Sequence, residues 1–320
     1  MSDVKKTSTA QAPFDNPDSD IILRSSDGVN FHVFKLILSL ASPVFKDMFT
    51  LPQPQPDASS VHTIPMAESS ATLNSLLLFC YPTPNPTFCS LDDAIAVLEA
   101  ARKYDMAGTL SCASDLVVAQ FVSTSSLELY ALSCKLGWKH HAQTAATEAL
   151  KIKNLGRPSI PFAGMRDITA FDHNRLLSYH YQCGVASQAL VRSLHWLEPS
   201  NTLKDMTMWN CPSRPGFIPY HISNLGTRCI ARWFEEYLVL IGKELFERPC
   251  KSTLYDSEPY DSAVGKAVAG SICPTTVIKD MAKFRDLFAA EVEKTITNVS
   301  LLDIDCRFEV HLTFTAEVGG

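Results

Sequence analysis

Apolar and polar positions follow two different periods along this chain. Over most of its length the apolar residues recur every three or four positions, as between Ala94 and Tyr104, which places them on one face of a helix. From residue 304 to residue 318 they recur at every second position, which is typical of a strand with one buried face. The pattern therefore predicts a mostly helical α+β chain that ends in a β-strand.

The region between residues 20 and 66 predicts a small sheet with two helices. The turn at 25–28 joins two short apolar runs, and Gly28 can adopt the positive φ that a hairpin turn needs. Farther on, Ser42 can cap a helix and Pro43 fits its first turn, where a missing N–H costs nothing. The predicted elements are strands at 20–24, 29–33 and 61–66, a helix at 34–40 and a second helix that begins at 43.

Breaks that contain proline or glycine separate the helices predicted for the rest of the chain. Capping boxes begin at Ser90 and Ser125, and Gly137 can end the helix that follows the second box. The predicted helices lie at 71–81, 94–104, 109–122, 125–137, 138–151, 173–197, 225–246 and 274–296, with a loop-like stretch at 199–219.

The segment from Asn154 to Arg166 is the strongest candidate for a domain boundary. It contains two Pro and two Gly and shows no periodicity. The predicted organisation is a disordered tail at 1–16, a first domain at 17–122, a helical extension at 123–153, a linker at 154–172 and a mainly helical second domain at 173–320.

Four stretches of the first domain carry a family resemblance: Ser19–Leu23, Phe31–Phe49, Leu76–Pro82 and Val97–Met106. Together they resemble the BTB/POZ family, and the whole chain resembles the BTB proteins abundant in mushroom-forming fungi. The resemblance implies a small sheet flanked by helices and a non-enzymatic role in self-association or partner recruitment. It also implies an alternative role, as a substrate adaptor for a cullin-type ubiquitin ligase.

The resemblance also suggests which residues meet a partner. Asp20 and Lys35 match two positions that, in many family members, place opposite charges in a pocket at the dimer interface. An ordinary surface ion pair, which contributes little to stability, is the alternative interpretation. Met and aromatic residues are common anchors at interfaces. The expected partner-binding residues are Asp20, Lys35, Val44, Met48, Phe49 and Leu51.

The chain departs from the family pattern at three places. Phe34 stands where the family usually has His, so packing replaces a polar contact. Only a short polar segment precedes Asp15, which argues against a domain-swapped dimer. The stretch 51–55 lacks the Glu of the hydrophobic-x-Glu triplet of many cullin-binding members, which argues against cullin binding.

Composition and charge narrow the expected partners to proteins. The net charge is −6 and no basic run exceeds Lys5–Lys6, so nothing favours binding to nucleic acid. No apolar run has the length of a membrane span, and the polar first residues do not resemble a signal peptide. Ten singly placed cysteines suit an intracellular protein with reduced thiols. Together these features predict an intracellular interaction protein.

Catalytic and cofactor-binding motifs are missing from the sequence. It has no glycine-rich phosphate loop, nucleophile elbow or His-Glu-x-x-His sequence, so we expect no enzyme activity and no cofactor. An alternative is a metal-binding or enzymatic second domain. His180 and Cys183 would share a helix face, and Cys211, Cys273 or His195 could complete a zinc site. Because structural zinc sites usually have two close ligand pairs, a buried thiol beside a half-buried imidazole is the simpler interpretation.

Overall fold

A β-hairpin organises the first part of the computed structural model. Strand β2 (Ile21–Arg24) pairs antiparallel with β3 (Val29–Val33), and Gly28 in the turn has a φ of 94°. Alternate hairpin residues are fully or almost fully buried, as the period of two requires. The model describes residues 8–51, 61–156, 161–194, 196–197, 206–209, 217–222, 226–270 and 272–301.

The chain divides into two compact units, residues 1–124 and 125–320. The first unit has a four-stranded sheet of order β1-β3-β2-β4, in which only the β2–β3 pair is antiparallel. Its further elements are β1 (Ser8–Thr9), α1 (Lys35–Ala41), α2 (Pro43–Thr50), β4 (Thr63–Pro65), α3 (Ser70–Leu78), α4 (Leu91–Lys103) and α5 (Ala107–Phe121).

The start of the described chain differs from the disordered tail predicted for residues 1–16. Strand β1 pairs in parallel with β3, and Phe14 is fully buried. The ring centroid of Phe14 lies 5.7 Å from that of Phe31 and 5.2 Å from that of Tyr81. A single aromatic side chain and the hydrogen bonds of the sheet therefore order residues 8–16, although their composition is polar.

The second unit is built around long helices and a two-stranded sheet. Phe234, Phe284 and Phe288 pack at its centre with less than 1% exposure. Its elements are α6 (Ser126–Leu136), α7 (Lys139–Ala149), α8 (Ala170–Ser193), β5 (Phe217–Ile222), β6 (Gly226–Ala231), α9 (Arg232–Glu247), α10 (Ser257–Ala269) and α11 (Pro274–Thr297), with 3₁₀ turns at Thr207–Trp209 and Lys251–Tyr255.

Two elements of this unit differ from the sequence-based expectation. Residues 226–231 form a strand paired with 217–222, whereas the sequence predicts a helix from 225 and a loop up to 219. Helix α10 was not predicted because its buried residues are Pro259, Ala263 and Ala267, whose small side chains give a weak hydrophobic signal. Antiparallel pairing between two consecutive strands decides the first case, and close helix packing decides the second.

The boundary between the units falls at 124/125, whereas the sequence favours a linker at 154–172. Helices α6 and α7 belong to the second unit because they bond to its other parts. The Tyr130 hydroxyl donates to the Asp172 carbonyl at 2.7 Å, and the Leu301 amide donates to Gln143 Oε1 at 3.0 Å. The mostly helical α+β fold with a small N-terminal sheet is confirmed, whereas the strand predicted at 304–318 lies outside the described residues.

Candidate protein-interaction surface

Two side chains from distant parts of the first unit fix the start of α1. The residue that caps this helix is Phe34, whose side chain has no acceptor for the free amides of the first turn. Asp20 Oδ1 accepts the backbone N–H of Lys35 at 2.8 Å, and the Tyr81 hydroxyl accepts the backbone N–H of Phe34 at 3.0 Å. The orientation of α1 is therefore set by β2 and by the segment that follows α3.

Asp20 and Lys35 are in contact, but the contact joins the Asp20 side chain to the Lys35 backbone and not two charged side chains. The carboxylate of Asp20 binds the amide of Lys35, and within the described residues the Lys35 ammonium forms no ion pair within 4.0 Å. The aspartate thus contributes to helix capping, and the lysine side chain keeps its charge available at the half-buried start of α1.

Helix α1 exposes two leucines to solvent. Leu36 is 70% exposed and Leu40 is 81% exposed, and because they are four residues apart they lie on one face of the helix. Leu38 is fully buried against the core. Helix α1 is therefore apolar on both sides: one side packs in the core of the first unit, and the other is exposed to solvent.

The predicted apolar residues of α2 divide between the surface and the core. Val44 is 36% exposed and Leu51 is 61% exposed, whereas Met48 and Phe49 are half-buried. The ring of Phe49 stacks on that of fully buried Phe45 at a centroid distance of 5.9 Å. Leu36, Leu40, Val44 and Leu51 are hereafter called the α1–α2 apolar residues.

Sequence reasoning missed Leu36 and Leu40. The run from 35 to 41 contains three leucines and one isoleucine, so it predicts a helix but not which face is buried. A helix that is apolar all round is usually interpreted as buried. Only the packing of α1 within the first unit shows that two of these leucines face outwards.

Glu68, Lys103 and Tyr104 form a hydrogen-bonded cluster that packs against α2. Lys103 Nζ lies 2.7 Å from Glu68 Oε1, and the Tyr104 hydroxyl donates to Glu68 Oε2 at 2.6 Å. Burial alone would raise the pKa of Glu68, but these two hydrogen bonds hold it below its ordinary value. Burial raises the pKa of Tyr104 to about 12, and its ring stacks on Phe45 at 4.8 Å.

A shallow cavity of about 270 Å³ adjoins this cluster. Glu68 and Lys103 are among its lining residues, and each is already engaged in the ion pair just described. The remaining lining residues are Ala67, Thr72, Ala96, Glu99 and Ala100. The cavity therefore offers three alanines, a neutralised charge pair, the Glu99 carboxylate and the Thr72 hydroxyl, and its lining contains no cysteine, histidine or serine.

The predicted zinc ligands of the second unit make other contacts. His180 bonds through Nε2 to the Ile152 carbonyl at 3.1 Å, and burial lowers its pKa. Burial raises the pKa of the Cys183 thiol to about 12. Cys273 is exposed, whereas Cys211 and His195 lie outside the described residues. Across the described ranges, no three His, Cys, Asp or Glu side chains are grouped to hold a metal.

Comparison with known proteins identifies the first unit. Residues 12–120 match the family model described as BTB/POZ domain. This segment is a BTB/POZ domain. BTB/POZ domains are protein–protein interaction modules that bind partners and self-associate, and the family is in general non-enzymatic. The match begins within the polar segment that contains buried Phe14, and it ends in α5.

The BTB/POZ domain also has a match among solved structures. The BTB domain of zebrafish PATZ1 is 18% identical, and the alignment covers 31% of this chain and 75% of that chain with a TM-score of 0.24. A search of the curated proteins found no match. None of the helices in the described ranges combines the length and the apolar character needed to cross a membrane.

Proposed function

We propose that the BTB/POZ domain joins two copies of this chain through the α1–α2 apolar residues. The observation that carries the proposal is the exposure of Leu36 and Leu40 at 70% and 81% on one face of α1. In this proposal the chain is a non-enzymatic interaction protein, and its second unit supports the assembly or recruits a further partner.

Hydrophobic burial would supply most of the stabilisation. Removing one leucine side chain from water contributes about 1.5–3 kcal/mol, so two adjacent leucines favour association strongly. Asp20 and Tyr81 already fix α1 in the free chain. Little ordering is therefore needed when a partner binds, and a pre-ordered surface binds more tightly than a flexible one.

Polar groups at the start of α1 would form the rim of the contact. The Lys35 ammonium has no ion-pair partner within the described residues, and Asp20 is exposed apart from its bond to the Lys35 amide. Charges at a rim influence partner selection and association rate more than affinity. Met48 and Phe49 are half-buried and lie between Val44 and Leu51 in the sequence, and they would support the contact.

The oligomeric state in solution tests the proposal. Light scattering after gel filtration of the full chain at micromolar concentration is expected to give a dimer mass for the wild type. The double substitution Leu36→Glu and Leu40→Glu is expected to give a monomer, because it would bury two unpaired charges in the interface. Val239→Glu is the matched control, since Val239 is 54% exposed on α9 of the other unit.

A monomeric wild type would contradict self-association, as would a double variant that remains dimeric. The same purified proteins can be tested for capture of a cullin, the alternative partner. Leu51 is 61% exposed directly after α2, where the sequence aligns with the apolar residue of the cullin-binding triplet. If the wild-type chain captures a cullin and the Leu51→Ala variant does not, the adaptor role is favoured over self-association.

A further inference from the structure

Arg285 of the second unit contacts two tyrosine rings, and its Nε has no hydrogen-bond acceptor among the residues that the structure describes. Its guanidinium carbon is 4.8 Å from the ring centroid of Tyr255 and 4.3 Å from that of Tyr260. The Tyr255 hydroxyl donates to Asp286 Oδ1 at 2.9 Å, and the Tyr260 hydroxyl donates to the Ile278 carbonyl at 3.3 Å. Because both acceptors are on α11, the helix that carries Arg285 also fixes the two rings.

The hydrogen-bond donors of Arg285 are unused within the described residues. Its Nε is buried and has no acceptor, and no carboxylate forms an ion pair with its guanidinium. Two other half-buried arginines of this unit each have a carboxylate partner, although the Nε of Arg175 also lacks an acceptor within the described residues. Arg175 binds Asp172, and Arg248 binds Asp256. Arg285 is therefore a half-buried charge without the counter-charge that such groups normally have.

A second unpaired group lies in the same part of the unit. Tyr237 is 2% exposed, and its hydroxyl has no hydrogen-bond partner in the part of the chain that the structure describes. The Tyr237 ring lies 6.5 Å from the ring of Phe284, the residue before Arg285. Burial raises the pKa of Tyr237, and the positive charge of Arg285 opposes that shift. An unsatisfied buried hydroxyl is costly, as is an unsatisfied guanidinium N–H. One acceptor placed between them would satisfy both.

We propose that Arg285, Tyr237, Tyr255 and Tyr260 form a binding site for an oxyanion, either a carboxylate or a phosphate. Arginine presents its donors as a planar fork that matches two oxygens of either group. The tyrosine rings contact the guanidinium and hold its plane, so the fork is pre-ordered. The Tyr237 hydroxyl adds a neutral donor. Arg285 is half-buried, so a small anion can approach the exposed part of its side chain from solution, although its Nε is itself buried. This site is independent of the α1–α2 apolar residues.

Titration of the full chain with two anions tests the site and distinguishes the sources of the oxyanion. Sodium phosphate and sodium acetate are added separately at constant ionic strength, and the Arg285 Nε–H signal is followed by ¹⁵N NMR. A saturable shift with one anion and not the other identifies phosphate or carboxylate as the ligand. A shift with neither anion overturns the proposal.

Variants then connect binding to the named residues. Tyr237→Phe is expected to weaken anion binding about tenfold, the effect of losing one hydrogen bond to a charged group. Arg285→Lys keeps the charge but removes the fork, and it is expected to abolish saturable binding, measured as anion-dependent thermal stabilisation. The control is Arg232→Lys, because Arg232 is exposed and 3.9 Å from Glu236. Equal anion-dependent stabilisation of the wild type and both site variants would also overturn the proposal.

Discussion

At the scale of single residues, Asp27 joins two elements that are distant in sequence. Its carboxylate accepts the Ser70 amide at 2.9 Å and the Ser70 hydroxyl at 2.6 Å, so the hairpin turn is tied to the first residue of α3. Hydrogen bonds from the Ser25 and Ser70 hydroxyls lower the pKa of Asp27 to about 2 from an ordinary value of 3.8. The carboxylate also lies at the positive end of the helix dipole.

These contacts predict a pH-dependent contribution to stability. Because the folded-state pKa is depressed, the contribution is complete above pH 3.8 and is lost as the pH falls towards 2. Asp27→Ala is expected to lower the free energy of unfolding of the first unit by about 1 kcal/mol at pH 7, after allowance for solvent screening. Hydrogen exchange of the β2–β3 amides in both proteins measures the difference. A difference that stays constant from pH 5 to about 2 would contradict the assignment.

At the scale of elements, the close crossing of α8 and α9 depends on glycine. A Cβ added at Gly184 would lie 2.5 Å from the Phe246 carbonyl oxygen, and one at Gly242 would lie 2.6 Å from Val191 Cγ2. The first neighbour is backbone and cannot rotate away. The two helices therefore approach at Gly184 more closely than any other residue would allow.

Gly184→Ala is accordingly expected to destabilise the second unit by about 1–3 kcal/mol, the usual cost of overpacking. Gly265→Ala is the matched control, because Gly265 lies within α10 and a Cβ there has no heavy atom within 4 Å. That control is expected to stabilise the unit by about 0.5–1 kcal/mol. All four tryptophans lie in residues 125–320, so tryptophan fluorescence during urea unfolding reports on this unit alone. A smaller loss for Gly184→Ala than for Gly265→Ala would refute the packing argument.

At the scale of the whole molecule, the division at 124/125 assigns α6 and α7 to the second unit. Tyr179 of α8 is 1% exposed, and its hydroxyl lies 3.2 Å from Gln143 and 3.2 Å from Thr147, both on α7. Removal of α6 and α7 would expose this buried face of α8. The segment at 154–172 is thus a connection within a unit and not the end of one.

Fragments can test this division directly. Residues 125–320 are expected to fold when expressed alone, whereas residues 154–320 are expected to aggregate, because Tyr179 would lose both its packing and its hydrogen bonds. Gel filtration and the dispersion of amide NMR signals measure the outcome. Equal folding of the two fragments would show that the boundary lies near 154, as the sequence alone suggests.

Local signals made the first unit predictable before its structure was known. The turn at 25–28, the cap at Ser42 with Pro43, and the stripe from 94 to 104 each depend on residues close together in the chain. Ser42 Oγ indeed accepts the Phe45 amide at 3.0 Å. The partner-binding role of Asp20, Lys35, Val44, Met48, Phe49 and Leu51 stays a prediction, as does that of Leu36 and Leu40, whose exposure only the structure shows.

The amino-acid sequence by itself determined the helical character of the chain, because hydrophobic period, turns and caps act over a few residues. The BTB/POZ domain was recognised from the resemblance of four short stretches to that family. Only the tertiary structure decided that Phe14 is buried, that Leu36 and Leu40 face solvent, and that Arg285 lies beside Tyr255 and Tyr260. These features depend on contacts between residues far apart in the chain. Such contacts form only when the elements pack, so no local pattern encodes them.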